Sequence, residues 1–113
     1  MIKIGKYKTI VYKGKKLDIS TANYAEGGRM ALTATLHGTG EPYDVLTVNI
    51  PAWDDYFPDM DIIFLDNNNV PGIFECLKQH GLIEDLGGKV WSGFCMYPVG
   101  RWLGWIGFIL KLI

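Results

Sequence analysis

Apolar and polar residues alternate along several short segments of the chain, which is the pattern of strands that bury one face. One further segment, Ile62–Leu65, is apolar at every position and predicts a strand covered on both faces. The segments predicted to be strands are Lys6–Tyr12, Lys15–Ile19, Arg29–Leu36, Val45–Ile50, Ile62–Leu65 and Lys89–Tyr97.

Turn residues separate these segments at short intervals. Lys13-Gly14 predicts a tight hairpin between the first two strands, because glycine tolerates positive φ. The stretch Ser20–Gly28 predicts a loop, and His37–Pro42 predicts the turn of a second hairpin. Gly87-Gly88 predicts the turn that leads into the last strand.

A helix is predicted over Val70–Gln79. Asn69 is the expected N-cap, and Pro71 is acceptable in a first turn because the N–H groups there have no helical partner. Gly81 is the expected glycine just past the helix end. A helix of this length is marginal alone, so we expect it to pack on the sheet.

The element order β-β-β-β-β-α-β predicts the α+β class, with a mainly antiparallel sheet of about five to six strands and one helix packed on a face. The 113 residues fit a single domain, residues 1–113. A lysine-rich hairpin opens that domain at residues 1–19, and an apolar tail ends it at residues 102–113.

The tail carries one charge, Lys111, and fits neither helical nor strand periodicity. It is too short to cross a bilayer, so we expect no membrane contact. The tail either completes the core or forms the interface of a homodimer. The first residues lack a secretory signal, and free thiols at Cys76 and Cys95 suit a reducing cytosol, so we expect a cytoplasmic protein.

The net charge of −1 hides an uneven distribution. Residues 30–77 contain eight acidic residues and no lysine or arginine. Half of those acids lie among aromatic rings at residues 51–61, here called the acidic loop. Either the loop is a docking surface for a basic partner, or it is a solvated turn whose rings fold back onto the core. The candidate partner-binding residues are Trp53, Asp54, Asp55, Tyr56, Phe57, Asp59 and Asp61.

The first 16 residues contain six lysines and no acid. Lysines interleaved with Tyr7 and Tyr12 could bind nucleic acid, by neutralising phosphates and stacking on bases. The same lysines could instead be the solvent face and edge guard of the first hairpin. The candidate nucleic-acid-binding residues are Lys6, Lys8, Lys13, Lys15 and Lys16.

Reactive side chains are few. Cys76 and His80 stand four apart on the predicted helix, and with His37 and Cys95 they would make a Cys₂His₂ zinc set. These residues are too dispersed for the close ligand pairs of a structural zinc site, and no residue pattern marks a nucleophile or a phosphate loop. We therefore expect no enzyme activity, no metal and no cofactor, while an apolar small-molecule pocket stays open as an alternative.

Four runs of the sequence together resemble a family of small uncharacterised proteins encoded by phages, plasmids and integrated elements of Firmicutes and gut bacteria. The resemblance covers residues 24–98, and its most specific pieces are the LTVN strand and the NNN-P-G helix start. The runs are NYAEGGRMALTATL, GEPYDVLTVNIP, FLDNNNVPGIFECLKQHGLIEDLGG and GFCMYP.

The resemblance supplies a context and no catalytic residues. Small proteins of mobile elements are often inhibitors of host defence, including anti-CRISPR proteins. That context implies a non-enzymatic inhibitor whose partner is a host defence protein or nuclease complex. The acidic loop would then occupy the groove in which such a partner holds nucleic acid.

Overall fold

A computed structural model describes residues 2–104 of the chain, and the side chains of residues 8–104. Within that part there are eight strands, one α-helix and one 3₁₀ turn, Pro51–Trp53. The strands and helix are β1 (Ile2–Tyr12), β2 (Lys15–Asn23), β3 (Met30–Leu36), β4 (Pro42–Val45), β5 (Thr47–Val48), β6 (Ile62–Leu65), α1 (Ile73–Gln79), β7 (Ile83–Ser92) and β8 (Cys95–Trp102).

The strands form two four-stranded antiparallel sheets, in the orders β1-β2-β3-β4 and β5-β6-β8-β7. This architecture confirms the α+β class and the mainly antiparallel pairing. The predicted five to six strands are too few.

The first sheet begins with the predicted hairpin, whose turn is Lys13-Gly14. The predicted loop at Ser20–Gly28 is wrong in its first part, because β2 continues to Asn23 and pairs there with Met30 of β3. Ser20 and the two residues after it are buried in this pairing. A small polar residue can sit in a central strand when the ladder satisfies its backbone, and composition alone does not reveal that.

Leu46 is the point at which the chain passes from one sheet to the other. Its N–H donates to the Leu32 carbonyl oxygen at 2.8 Å, and its own carbonyl oxygen accepts from the Asp66 N–H at 2.9 Å. The backbone of Leu46, a buried residue, is therefore hydrogen-bonded to β3 of the first sheet and to the end of β6 in the second. The predicted strand Val45–Ile50 is consequently two short strands, β4 and β5, on either side of Leu46.

The helix begins three residues later than predicted. Gly72, at φ 79°, occupies the N-cap position and offers no capping side chain of its own. Asn67 accepts the N–H of Phe74 through Oδ1 at 3.0 Å, whereas Asn69 donates its Nδ2 to Asp66. The Asn69 cap is therefore wrong. The glycine after the helix end is confirmed, since Gly81 has φ 73°.

The predicted strand Lys89–Tyr97 is in fact a hairpin. The chain reverses at Gly93-Phe94, so that Ser92 opposes Cys95 and β7 pairs with β8. The glycines at 87–88 lie inside β7, at a register shift between Asp85 and Lys89. The hairpin turn accounts for one of the strands that the pattern misses.

Strand β6 of the second sheet is buried on both of its faces. On one face Ile63 and Leu65 belong to the main core, which lies among both sheets and α1. On the opposite face Ile62 and Phe64 belong to a smaller group of apolar residues, here called the outer cluster. The prediction that Ile62–Leu65 is covered on both faces is confirmed. The outer cluster contains Ile50, Ile62, Phe64, Val90 and Val99, with Val48, Trp53, Phe57 and Tyr97 packed against it.

A buried guanidinium fixes the acidic loop over the outer cluster. Arg29 is fully buried, and its Nη1 donates to the carbonyl oxygens of Ile62 at 2.8 Å and Asp59 at 3.1 Å. Its Nη2 donates to the Phe57 carbonyl oxygen at 2.5 Å and to Oδ1 of Asp54 at 3.0 Å. Because all four acceptors lie in or directly after the loop, one side chain sets the loop's path.

Removing this anchor should destabilise the domain. We expect Arg29→Met to lower the free energy of unfolding by about 3 kcal/mol or more, because several buried carbonyls and one carboxylate lose their donor. Asp54→Asn should cost about 1 kcal/mol, since the carboxylate is partly exposed. Urea denaturation measures both. The matched control is Asp55→Asn, which should stay within about 0.5 kcal/mol. Equal losses for the two aspartates would contradict the anchor.

Candidate protein-binding surface

The rings of the acidic loop divide into two that are packed and one that is exposed. Trp53 and Phe57 are half-buried against the outer cluster, and the Phe57 ring meets Phe64 edge-on at 5.7 Å between centroids. Tyr56 lies 5.3 Å from Trp53, centroid to centroid, yet 74% of it is exposed. Trp53 and Phe57 therefore support the loop, while Tyr56 is available to a partner.

The loop's aspartates are mostly engaged with arginines. Asp54 pairs with Arg29, and Arg101 of β8 lies 3.1 Å from Asp61 and 3.5 Å from Asp59. Three of the four loop aspartates are thus paired with two arginines that lie outside residues 30–77. Asp55 is exposed and has no ion-pair partner among the described side chains.

A hydrogen bond joins the acidic loop to the end of the β7–β8 hairpin. The Trp53 indole N–H donates to the carbonyl oxygen of Trp91 at 2.9 Å. Val90 and Tyr97, which oppose each other beside this bond, face the outer cluster. Trp91 therefore points to the opposite face, together with its partner Met96.

Large apolar side chains are exposed around this end of the molecule. Phe94 at the hairpin turn is fully exposed, Trp91 is 57% exposed and Met96 is 39% exposed. Grouped exposed apolar residues of this kind mark interaction sites more often than isolated ones do. We name this end of the molecule the tip surface: Asp55 and Tyr56 belong to the acidic loop on the outer-cluster side of the hairpin, Trp91 and Met96 lie on the opposite side, and Phe94 lies at the turn between the two sides.

Sequence reasoning found only two members of the tip surface. Trp91, Phe94 and Met96 were assigned to an uninterrupted strand, in which such residues would pack against the core. The signal for a turn was the dipeptide Ser92-Gly93, which commonly marks a reversal of the chain.

The side chains of Cys76 and His80 are hydrogen-bonded to the backbone of β1. Sγ of Cys76 lies 3.8 Å from Nδ1 of His80, but the thiol donates to the Val11 carbonyl oxygen at 3.2 Å. The Val11 N–H donates to Nε2 of His80, whose Nδ1–H donates to the Cys76 carbonyl oxygen. Burial raises the pKa of the Cys76 thiol, which disfavours a thiolate nucleophile. These hydrogen bonds join the C-terminal end of α1 to β1, the edge strand of the first sheet.

The other metal candidates lie elsewhere. His37 pairs through Nδ1 with Asp18 at 2.9 Å, and Cys95 lies at the β7–β8 turn. Among the described residues no group of three or more histidines, cysteines, aspartates and glutamates is arranged to hold a metal ion. The sequence-based expectations about metals, cofactors and enzyme activity stay predictions.

Among the described side chains, the lysines of the first hairpin are exposed, but Tyr12 is buried and Tyr43 is half-buried. Lys13 lies over the ring of Tyr12, which is buried, and Lys15 lies over the ring of Tyr43. Such rings are poor stacking platforms for bases. Nucleic-acid binding stays a prediction, for which the structure shows exposed Lys8, Lys13, Lys15 and Lys16, while the side chain of Lys6 lies outside the described residues.

A family model described as a domain of unknown function, DUF4313, matches residues 16–102. The chain belongs to the DUF4313 family. The match spans β2 to β8, so it includes the Arg29 anchor and every residue of the tip surface. This confirms the expectation of an uncharacterised family, while the phage and mobile-element context stays a prediction. No curated protein and no solved structure matches the chain.

No helix within residues 2–104 has the length and apolar character needed to span a bilayer. The predicted dimer interface falls mainly on residues 105–113, which lie outside the described residues.

Substitution of two phenylalanines should distinguish a residue that stabilises this DUF4313 domain from one that is available to a partner. Phe57→Ala should lower the free energy of unfolding by about 2 kcal/mol, because its ring packs on the outer cluster. Phe94→Ala should change it by no more than about 0.5 kcal/mol, because its ring touches solvent. Thermal and urea unfolding of both variants measure this. A large loss in Phe94→Ala would show that its ring is part of the core.

Proposed function

We propose that the protein is a non-enzymatic binding protein that docks its tip surface onto a partner protein. The observation that carries the proposal is the full exposure of Phe94, next to Trp91, on a hairpin fixed by the bond from Trp53. An exposed ring on an ordered hairpin enters a partner's pocket at a small entropic cost. Tryptophan and tyrosine are also the side chains that most often dominate interface energies.

The partner surface that suits the tip combines an apolar pocket with a basic rim. Phe94 and Trp91 would fill the pocket, and Tyr56 would contact the partner from the other side of the hairpin. Asp55 has no ion-pair partner among the described side chains, so its carboxylate is free for a lysine or arginine of the partner. Asp59 is 60% exposed beside Arg101 and adds negative potential near the same loop.

Such a rim is typical of proteins that hold nucleic-acid phosphates with lysine and arginine. The proposal therefore extends to an inhibitor that occludes a nucleic-acid-handling protein of a bacterial defence system, in the manner of an anti-CRISPR protein. The resemblance to proteins of phages and mobile elements supports this extension. The protein would then act in the cytoplasm of the bacterial host.

The test begins with affinity capture from a bacterial host lysate, with the wild-type protein and the double variant Trp91→Ser/Phe94→Ser used in parallel. We expect a nucleic-acid-handling protein to be retained by the wild type and lost with the variant. With the purified partner, each single substitution should cost about 2 kcal/mol or more, roughly a 30-fold weaker Kd. Adding the wild-type protein should reduce the partner's binding to nucleic acid.

The matched control is Val11→Ser, because Val11 is a comparably exposed apolar residue on β1 of the first sheet. Its affinity should equal that of the wild type. A partner that the double variant retains as well as the wild type does would rule out the tip surface. If the partner still binds nucleic acid when it is saturated with the wild-type protein, occlusion is ruled out, but docking through the tip surface is not.

A further inference from the structure

A groove of about 580 Å³ lies between α1 and the β7–β8 hairpin. Phe74 and Pro98, both buried, line it together with the more exposed Met96. Its volume falls in the range of natural ligand sites. Only Met96 is shared with the tip surface, so the groove is a separate feature of the molecule.

One side of the groove is the outermost strand of its sheet. In the part of the chain that the structure describes, β7 pairs with β8 alone, so its outer edge has no partner strand, although side chains bond two of its backbone groups, the Trp91 carbonyl oxygen and the Gly87 N–H. A Cβ at Gly87 or Gly88 would meet no atom within 4 Å. The backbone of β7 is therefore accessible from the groove.

Two hydrogen bonds to the Asp85 carboxylate stabilise the irregular part of β7. The Gly87 N–H donates to Oδ1 of Asp85 at 2.8 Å, and Lys78 of α1 donates to Oδ2 at 3.3 Å. The Gly87 N–H and then Lys78 lower the pKa of the Asp85 carboxyl, so the carboxylate that makes both bonds is maintained at neutral pH. The irregular part of β7 is an ordered wall of the groove.

Two charges of opposite sign line the groove and remain available. Glu75 lies on the helix side and Lys89 on the strand side, and both are exposed. Neither forms an ion pair with another described side chain. Asp85, by contrast, is engaged with Lys78.

We propose that the groove and the outer edge of β7 together bind an extended peptide segment of a partner protein. The segment would add a strand to β7 and direct apolar side chains onto Phe74 and Pro98. A basic side chain of the segment would pair with Glu75, and an acidic one with Lys89. Backbone bonds to an edge strand supply affinity in this mode, and side-chain pockets supply specificity.

The complementary charges and the open strand edge favour a peptide over a small molecule. A small apolar ligand would use the floor of the groove but neither the exposed backbone of β7 nor both charged walls. This inference goes beyond the proposed function, since it concerns a second surface and a different mode of recognition.

The probe is a random nine-residue peptide library displayed on phage and selected against the wild-type protein. We expect enrichment of alternating apolar peptides that carry one basic and one acidic residue. A synthetic copy of a selected peptide should bind Gly88→Leu at least about tenfold more weakly, because the leucine fills the groove. Gly88 has no positive φ, so its backbone accommodates a leucine.

Circular dichroism would show whether Gly88→Leu folds. If it folds poorly, the variant Glu75→Gln tests the same site. Glu75→Gln should weaken a peptide with its basic residue by about two- to fivefold, and should leave unchanged a peptide with glutamine at that position. Phe94→Ser should bind the selected peptide as the wild type does, which separates this site from the tip surface.

Three results would overturn the proposal. The first is a library from which no peptide is enriched. The second is enriched peptides that bind Gly88→Leu as tightly as the wild type, or that lose affinity only with Phe94→Ser. The third is a small molecule that co-purifies with the wild type but not with Gly88→Leu, while no peptide binds.

Discussion

The position of the acidic loop depends on the burial of a single guanidinium. Placing Arg29 inside the protein is costly unless its charge and donors are satisfied. One carboxylate and three carbonyl oxygens accept from its two terminal nitrogens, while its Nε is buried without a partner, and the centroid of the Phe64 ring lies 5.0 Å from the guanidinium carbon. Because those acceptors come from residues 54–62, the terminal nitrogens of Arg29 are bonded only when the loop follows its observed path.

The candidate binding surface follows from this arrangement. With the loop in place, Trp53 packs on the outer cluster and its indole N–H reaches the Trp91 carbonyl oxygen. That bond fixes the hairpin end, where Phe94 is fully exposed. Within the acidic loop, Trp53 and Phe57 therefore stabilise the structure, whereas Tyr56 between them is exposed. Substitutions at neighbouring positions consequently affect either stability or binding.

The sequence predicted the fold class and the individual strands better than their connections. The apolar run Ile62–Leu65 and the turn at Lys13-Gly14 act locally, so pattern and turn chemistry were sufficient. The crossing at Leu46 was not predictable, because it depends on bonds to residues far away in the chain. For the same reason the acidic loop looked unneutralised, since Arg29 and Arg101 meet its carboxylates only in the folded protein.

The most direct test of the Arg29 anchor is hydrogen–deuterium exchange in Arg29→Lys, because a lysine keeps the charge but cannot reach all of the acceptors. The account predicts faster exchange in residues 51–61 and at the end of the β7–β8 hairpin, with unchanged exchange in the β1–β2 hairpin. Exchange that is unaltered in the loop, or raised evenly across the domain, would contradict it.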